Sequence, residues 1–134
     1  MNYNHYFLSD ENCAQRLIRE YTLHGSLAIA YDFDNTVHDY HKQGHDYTEM
    51  VELLRELQAI NCVLIVFTAA EDLGRVSEFL TVHDIPFDLI NENPPFYPGT
   101  ARKIYYNVLL DDRAGLRSAF IQCRALLDHV RSQK

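Results

Sequence analysis

Residues 27–37 read Leu-Ala-Ile-Ala-Tyr-Asp32-Phe-Asp34-Asn-Thr36-Val, an apolar run ending in two carboxylates spaced i, i+2, with a threonine two residues further on. A strand that stops at Asp-x-Asp-x-Thr delivers its acids to the carboxyl edge of a sheet, where open α/β folds take their ligands. Two carboxylates at one strand end repel, and a divalent cation is the obvious group to hold them together.

Working outward, the chain alternates strands and helices. Ser9-Asp10-Glu11 reads as a helix start, with Ala14, Leu17, Ile18 and Tyr21 on one stripe and His24-Gly25 as the stop. Residues 38–47 carry no periodicity and read as a loop or short flap. Thr48 is expected to cap a helix that turns Met50, Val51, Leu53, Leu54 and Leu57 inward. Residues 62–67 are continuously apolar, as in a strand buried on both faces. A second helical stripe follows, with Leu73, Val76, Phe79, Leu80 and Val82, and then a short strand over 87–90. Residues 91–100 hold three prolines and a glycine and read as a long loop. The pattern predicts a strand over 104–110 that ends at Asp111-Asp112, and a final helix from Arg113 to about Val130. Such alternation implies a parallel sheet with helical crossovers: a three-layer α/β/α Rossmann-like fold. One domain is expected over residues 1–134, with an N-terminal helix near 9–24 and a core over about 27–130.

Composition bounds the function. A chain of 134 residues with 47% hydrophobic and 23% charged residues has the make-up of a soluble globular domain. The formal net charge of −7, without a dense Lys/Arg cluster, argues against broad nucleic-acid backbone binding and leaves a terminal contact open. Cys13, Cys62 and Cys123 are far apart and odd in number, as buried thiols of a reducing compartment are. No apolar run reaches membrane-spanning length and no signal peptide opens the chain, so the expectation is a cytoplasmic protein.

Four features fall at strand ends or just before a strand: Asp32/Asp34/Thr36, then Thr68, then Lys103, then Asp111-Asp112. In a parallel sheet the carboxylates and Thr68 converge on one edge, and a long lysine side chain reaches there from its loop. Several acids, a cation and two hydroxyls suit phosphoryl transfer. Mg²⁺ takes one or two carboxylates plus phosphate oxygens and neutralises the charge that would otherwise keep a carboxylate from phosphorus. An aspartate nucleophile splits hydrolysis into two easier steps, and a second carboxyl moves the proton. Lysine and threonine hold the phosphoryl oxygens as charge redistributes.

This set resembles the phosphatase branch of the haloacid dehalogenase superfamily. Asp32-Phe-Asp34-Asn-Thr36-Val is similar to its first motif, Thr68 to its second, Lys103 to its third and Asp111-Asp112 to its fourth, in the right order. The resemblance implies Asp32 as nucleophile and metal ligand, and Asp34 as general acid/base with its backbone carbonyl on the metal. It implies Thr68 on the phosphoryl group, Lys103 steadying nucleophile and phosphate charge, and Mg²⁺ held with Asp112, Asp111 supporting. Thr36 is expected to fix the turn.

Two departures qualify the resemblance. Asn35 stands where many relatives have glycine, and asparagine tolerates the left-handed geometry. Thr68 is followed by Ala69-Ala70-Glu71, without the basic residue small relatives often carry there, leaving Arg75, Arg102 or Arg113 to assist. The segments between motifs leave no room for a cap domain. A capless member acts on large phosphorylated substrates or borrows a lid from a partner subunit of a homo-oligomer. The His38/His41/His45 loop reads as a flap over the site, with Tyr40, Tyr47, Phe96 and Tyr97 at its entrance. The rival readings are a non-catalytic binding or regulatory module and a phosphotransferase using the same intermediate.

Overall fold

The structure, a computed structural model, describes residues 5–133. A short 3-10 helix leads into α1 (Asp10–His24), followed by β1 (Ala28–Tyr31), α2 (Thr48–Ala59), β2 (Val63–Val66), α3 (Leu73–Val82), β3 (Leu89–Ile90), β4 (Val108–Leu110) and α4 (Leu116–Ser132). The strands form one all-parallel sheet in the order β3-β2-β1-β4. This is the α/β Rossmann-like class expected from the alternation. Among the described residues, no helix is long and apolar enough to cross a membrane.

The period-2 rule divides the sheet. Leu27, Ile29, Tyr31, Leu64, Val66, Val108 and Leu110 join the larger core, together with Leu17 of α1, Leu53, Leu54 and Leu57 of α2, Val76 and Leu80 of α3, and Cys123, Leu126 and Leu127 of α4. Ala28, Ala30 and Ile65 face the other way and pack on Ile104, with Tyr105 and Tyr106 alongside. Irregular chain covers this second face, because the connection from β3 to β4 contains no helix.

That connection corrects the predicted strand over 104–110, since only Val108–Leu110 is strand. Side chains take the hydrogen bonds a longer strand would make. The Tyr105 N–H donates to Asn93 Oδ1 (2.7 Å), and the Ala28 N–H donates to Asn107 Oδ1 (2.8 Å). Ile104 is thereby freed to close the second face. Helix starts also differ in detail. Thr48 is the first residue of α2, not its cap. Tyr47 holds the cap position without a side-chain hydrogen bond, and Asp46 forms a local turn, accepting from the Thr48 N–H (2.9 Å) and hydroxyl (2.6 Å). Val82 ends α3 with 71% of its surface exposed, beyond the last turn that touches the core. At α1 the reading holds in full: Ser9 caps the Asn12 N–H, and Gly25 closes the helix at φ +75°.

Candidate metal and phosphoryl site

Register sets the floor of the site. The Asp32 N–H donates to the Leu110 carbonyl (2.9 Å), placing the end of β1 beside the Asp111-Asp112 step. On the other side the Phe67 N–H donates to the Tyr31 carbonyl (2.8 Å), so β2 delivers Thr68 next to the same edge. Beyond Asp32 the chain winds around one acceptor, the Phe33 carbonyl, which takes the N–H groups of Val37 (3.1 Å) and His38 (3.0 Å). Asn35 adopts φ +61° within this turn, the left-handed geometry anticipated for it.

The structure brings Asp32, Asp111 and Asp112 together, each offering a carboxylate oxygen within 4.8 Å of the others. Burial pushes the Asp32 carboxyl up to about 7, helped by its contact with the Asp112 carboxyl and by the negative charges of Asp111 and Asp112. The Phe33 backbone pulls the other way. Three carboxylate oxygens gathered at one point are what a hard divalent ion such as Mg²⁺ takes.

Thr36 ties the two loops together. It is fully buried, its hydroxyl accepts from the Asp112 N–H (3.2 Å), and its proton faces Asp112 Oδ1 (3.4 Å) and Asp32 Oδ2 (3.5 Å). The turn-fixing role expected of it therefore extends to orienting both carboxylates.

Asp34 points elsewhere. His38 Nδ1 lies within hydrogen-bond distance, 2.9 Å, of Asp34 Oδ1. The His38 ring stacks on Phe33, with centroids 4.7 Å apart and planes 13° apart, and meets Phe79 edge-on. The flap histidines thus have separate places: His38 is fixed against Asp34, while His41 and His45 line a pocket with Asn35, Tyr47 and Asp112. Tyr40 borders a cleft that Asp34 also lines. Phe96 and Tyr97, expected at the entrance, line a different cavity with His24 and Ser26, near the start of β1. Tyr97 stacks there on Tyr105 (centroids 4.9 Å apart), since the 91–107 segment must return to the amino edge of the sheet before β4.

Thr68 is held through Asn91, which accepts from the Thr68 N–H (2.8 Å) and donates to its carbonyl (2.9 Å). The Thr68 hydroxyl accepts from the Ala70 N–H (3.1 Å) and keeps its own proton. Asn91 is a positioning residue that sequence reading missed, and His38, read there as part of a flap, is fixed against Asp34 instead. A lone asparagine closing a two-residue strand and a histidine in a polar loop carry no local signal. Lys103 is exposed, its Nζ 5.7 Å from the Tyr106 ring centre, and among the described residues no ion pair joins it to the acids.

No family model and no curated protein matches this sequence. A solved structure is similar to it: a conserved protein coded by a locus from Bacteroides thetaiotaomicron, at TM-score 0.59 and 26% identity, covering 81% of this chain and 93% of that one. The likeness is one of fold.

Proposed function

We propose that this chain is a Mg²⁺-dependent phosphomonoester hydrolase of the haloacid dehalogenase type, acting through an aspartyl-phosphate on Asp32. The observation that carries the reading is the meeting of Asp32, Asp111 and Asp112 at the carboxyl edge of the sheet. The first of them lies at the end of a central strand and the other two follow its neighbour. A divalent ion on these carboxylates would supply the positive charge that lets an anionic nucleophile and a phosphate meet.

The rest falls to the chain's own groups. The Asp32 carboxylate attacks phosphorus and the ester oxygen leaves, taking a proton from Asp34; Asp34 then withdraws a proton from the water that hydrolyses the acyl phosphate. The free Thr68 proton faces the phosphoryl oxygens in this scheme, with Asn91 fixing its backbone. Lys103 supplies positive charge to the phosphate, and Arg75, which borders the cleft beside Asp34, is the other cation available.

Phosphate release from a panel of sugar, aryl, peptide and nucleic-acid-end phosphates, with and without Mg²⁺, tests the reading. Asp32→Asn should abolish release while leaving the far-ultraviolet circular dichroism unchanged. No release from any substrate overturns the proposal. A second reading, a cation-binding module without turnover, is favoured by one feature: Ala69-Ala70-Glu71 provides no basic residue after Thr68. Mg²⁺ binding by the wild-type chain without phosphate release would establish it. Transfer to an added alcohol would identify a phosphotransferase.

A further inference from the structure

Asp34 turns away from the metal cluster and toward His38. It lines one end of an open cleft of about 460 Å³ that runs along α3, and Ala70, two residues beyond Thr68, borders the same cleft. Asp34 and Ala70 thus set part of the cleft's lining in the loops that follow β1 and β2, and its size suits a small organic group. Its walls are aromatic and aliphatic: Phe33, His38 and Phe79, with Val76 and Val82. The rings form one cluster, Phe33 lying edge-on to Phe79 at 5.3 Å and His38 edge-on to Phe79 at 4.7 Å. Phe79 and His38 are half-buried, so part of their surface is open to the cleft.

Charge narrows the occupant. Asp34, Asp72 and Glu78 border the cleft against the cation Arg75, so acids surround the apolar floor on a chain that is itself acidic. A second anionic group on the ligand would be repelled. A neutral planar ring avoids that cost and gains edge and face contacts with Phe79 and His38.

We infer that this cleft is the subsite for the organic part of the substrate, and that it takes the aromatic ring of an aryl phosphate. The inference rests on the phosphatase reading for its chemistry. The phosphoryl group passes from the phenol oxygen to Asp32, the phenol oxygen takes the proton of Asp34, and the neutral phenol departs through the cleft.

Binding of two non-hydrolysable probes tests the subsite without turnover. Phenylphosphonate and methylphosphonate are titrated by calorimetry into the Mg²⁺-loaded wild-type chain, Phe79→Leu and Val82→Asn. Phe79→Leu keeps apolar volume against the core, and Val82 sits on the exposed rim, so both variants retain the fold. The expected result is phenylphosphonate about tenfold tighter than methylphosphonate in the wild type, with the preference falling to about threefold or less in Phe79→Leu and methylphosphonate affinity unchanged. Equal affinities in the wild type, no binding of either probe, or an unaltered preference in Phe79→Leu overturns the inference. A ring preference in a chain that releases no phosphate from any ester would keep the subsite and overturn the phosphatase reading. Turnover without ring preference would do the reverse.

Discussion

Removing one charge should stabilise this protein, and the size of the effect follows from the site. Folding raises the Asp32 carboxyl from 3.8 to about 7, chiefly by burying it and then by setting it beside Asp112 and Asp111. A carboxyl with a raised pKa keeps, in the folded chain, a proton that the unfolded chain has already lost. Folded protein therefore binds more protons between about pH 4 and pH 7, and stability falls as pH rises through that window. This is the reverse of an ordinary paired aspartate. Three units correspond to about 4 kcal/mol if fully expressed; Asp32 is only half-buried, and screening by water brings the cost to about 2 kcal/mol above pH 7. Asp32→Asn removes it. In EDTA at pH 8 the variant should melt about 7 °C above the wild type, while at pH 4.5 the two should agree to within about 0.5 kcal/mol. Comparing variant with wild type cancels the titrating groups remote from Asp111 and Asp112. Mg²⁺ at 10 mM, for a dissociation constant on the order of 1 mM, should then return about 1.4 kcal/mol to the wild type and much less to the variant. The assay is thermal unfolding followed by circular dichroism across pH 4.5–8.5. A variant that is no more stable than wild type at pH 8, or equally stabilised at both ends of the range, would refute the argument that Asp32 is held against its own charge.

Three further outcomes follow from the same geometry. Thr36→Val leaves the Asp112 N–H without its partner in a closed turn and should cost about 1–2 kcal/mol in urea unfolding and weaken Mg²⁺ binding, with Thr36→Ser restoring both. Asn91→Ala should cut phosphate release at least about tenfold through misplacement of Thr68 while Mg²⁺ affinity, read by titration, stays the same. Glu56 joins α2 to α4 through Arg124 and Arg131, and these partners hold its carboxyl below the usual range, so its stabilisation is present above about pH 4.5 and is lost as pH falls. Glu56→Gln should destabilise by about 0.5–1 kcal/mol at pH 7 in low salt, less in 1 M NaCl, with chemical denaturation as the measurement.

How much of this was legible depends on how far each signal had to reach. β2 and the buried face of α2 are written as runs and stripes, and each lies where hydrophobic periodicity puts it. The strand ending at Asp111 was legible at its close and not at its start. Ile104, Tyr105 and Tyr106 have strand composition, but Asn93 and Asn107 take the backbone bonds, and those partners are distant in sequence. The same return of the chain carried Phe96 and Tyr97 away from the acids. Thr48 opens α2 and does not cap it, because its N–H and hydroxyl are taken up by Asp46 in a local turn.

The sequence alone determined which elements form and which ends of them carry acid. Strand periodicity and the placement of Asp32, Asp34, Asp111 and Asp112 after apolar runs are one-dimensional facts, and a parallel sheet converts them into one edge. Only the tertiary structure decided how those acids divide. Register across β1 and β4 gathers Asp32, Asp111 and Asp112, whereas the turn around the Phe33 carbonyl aims Asp34 at His38 and at a cleft walled by α3. Two carboxylates separated by a single residue thus enter different surroundings, because one ends a paired strand and the other begins a turn, and that difference is set by hydrogen bonds between segments far apart in the chain.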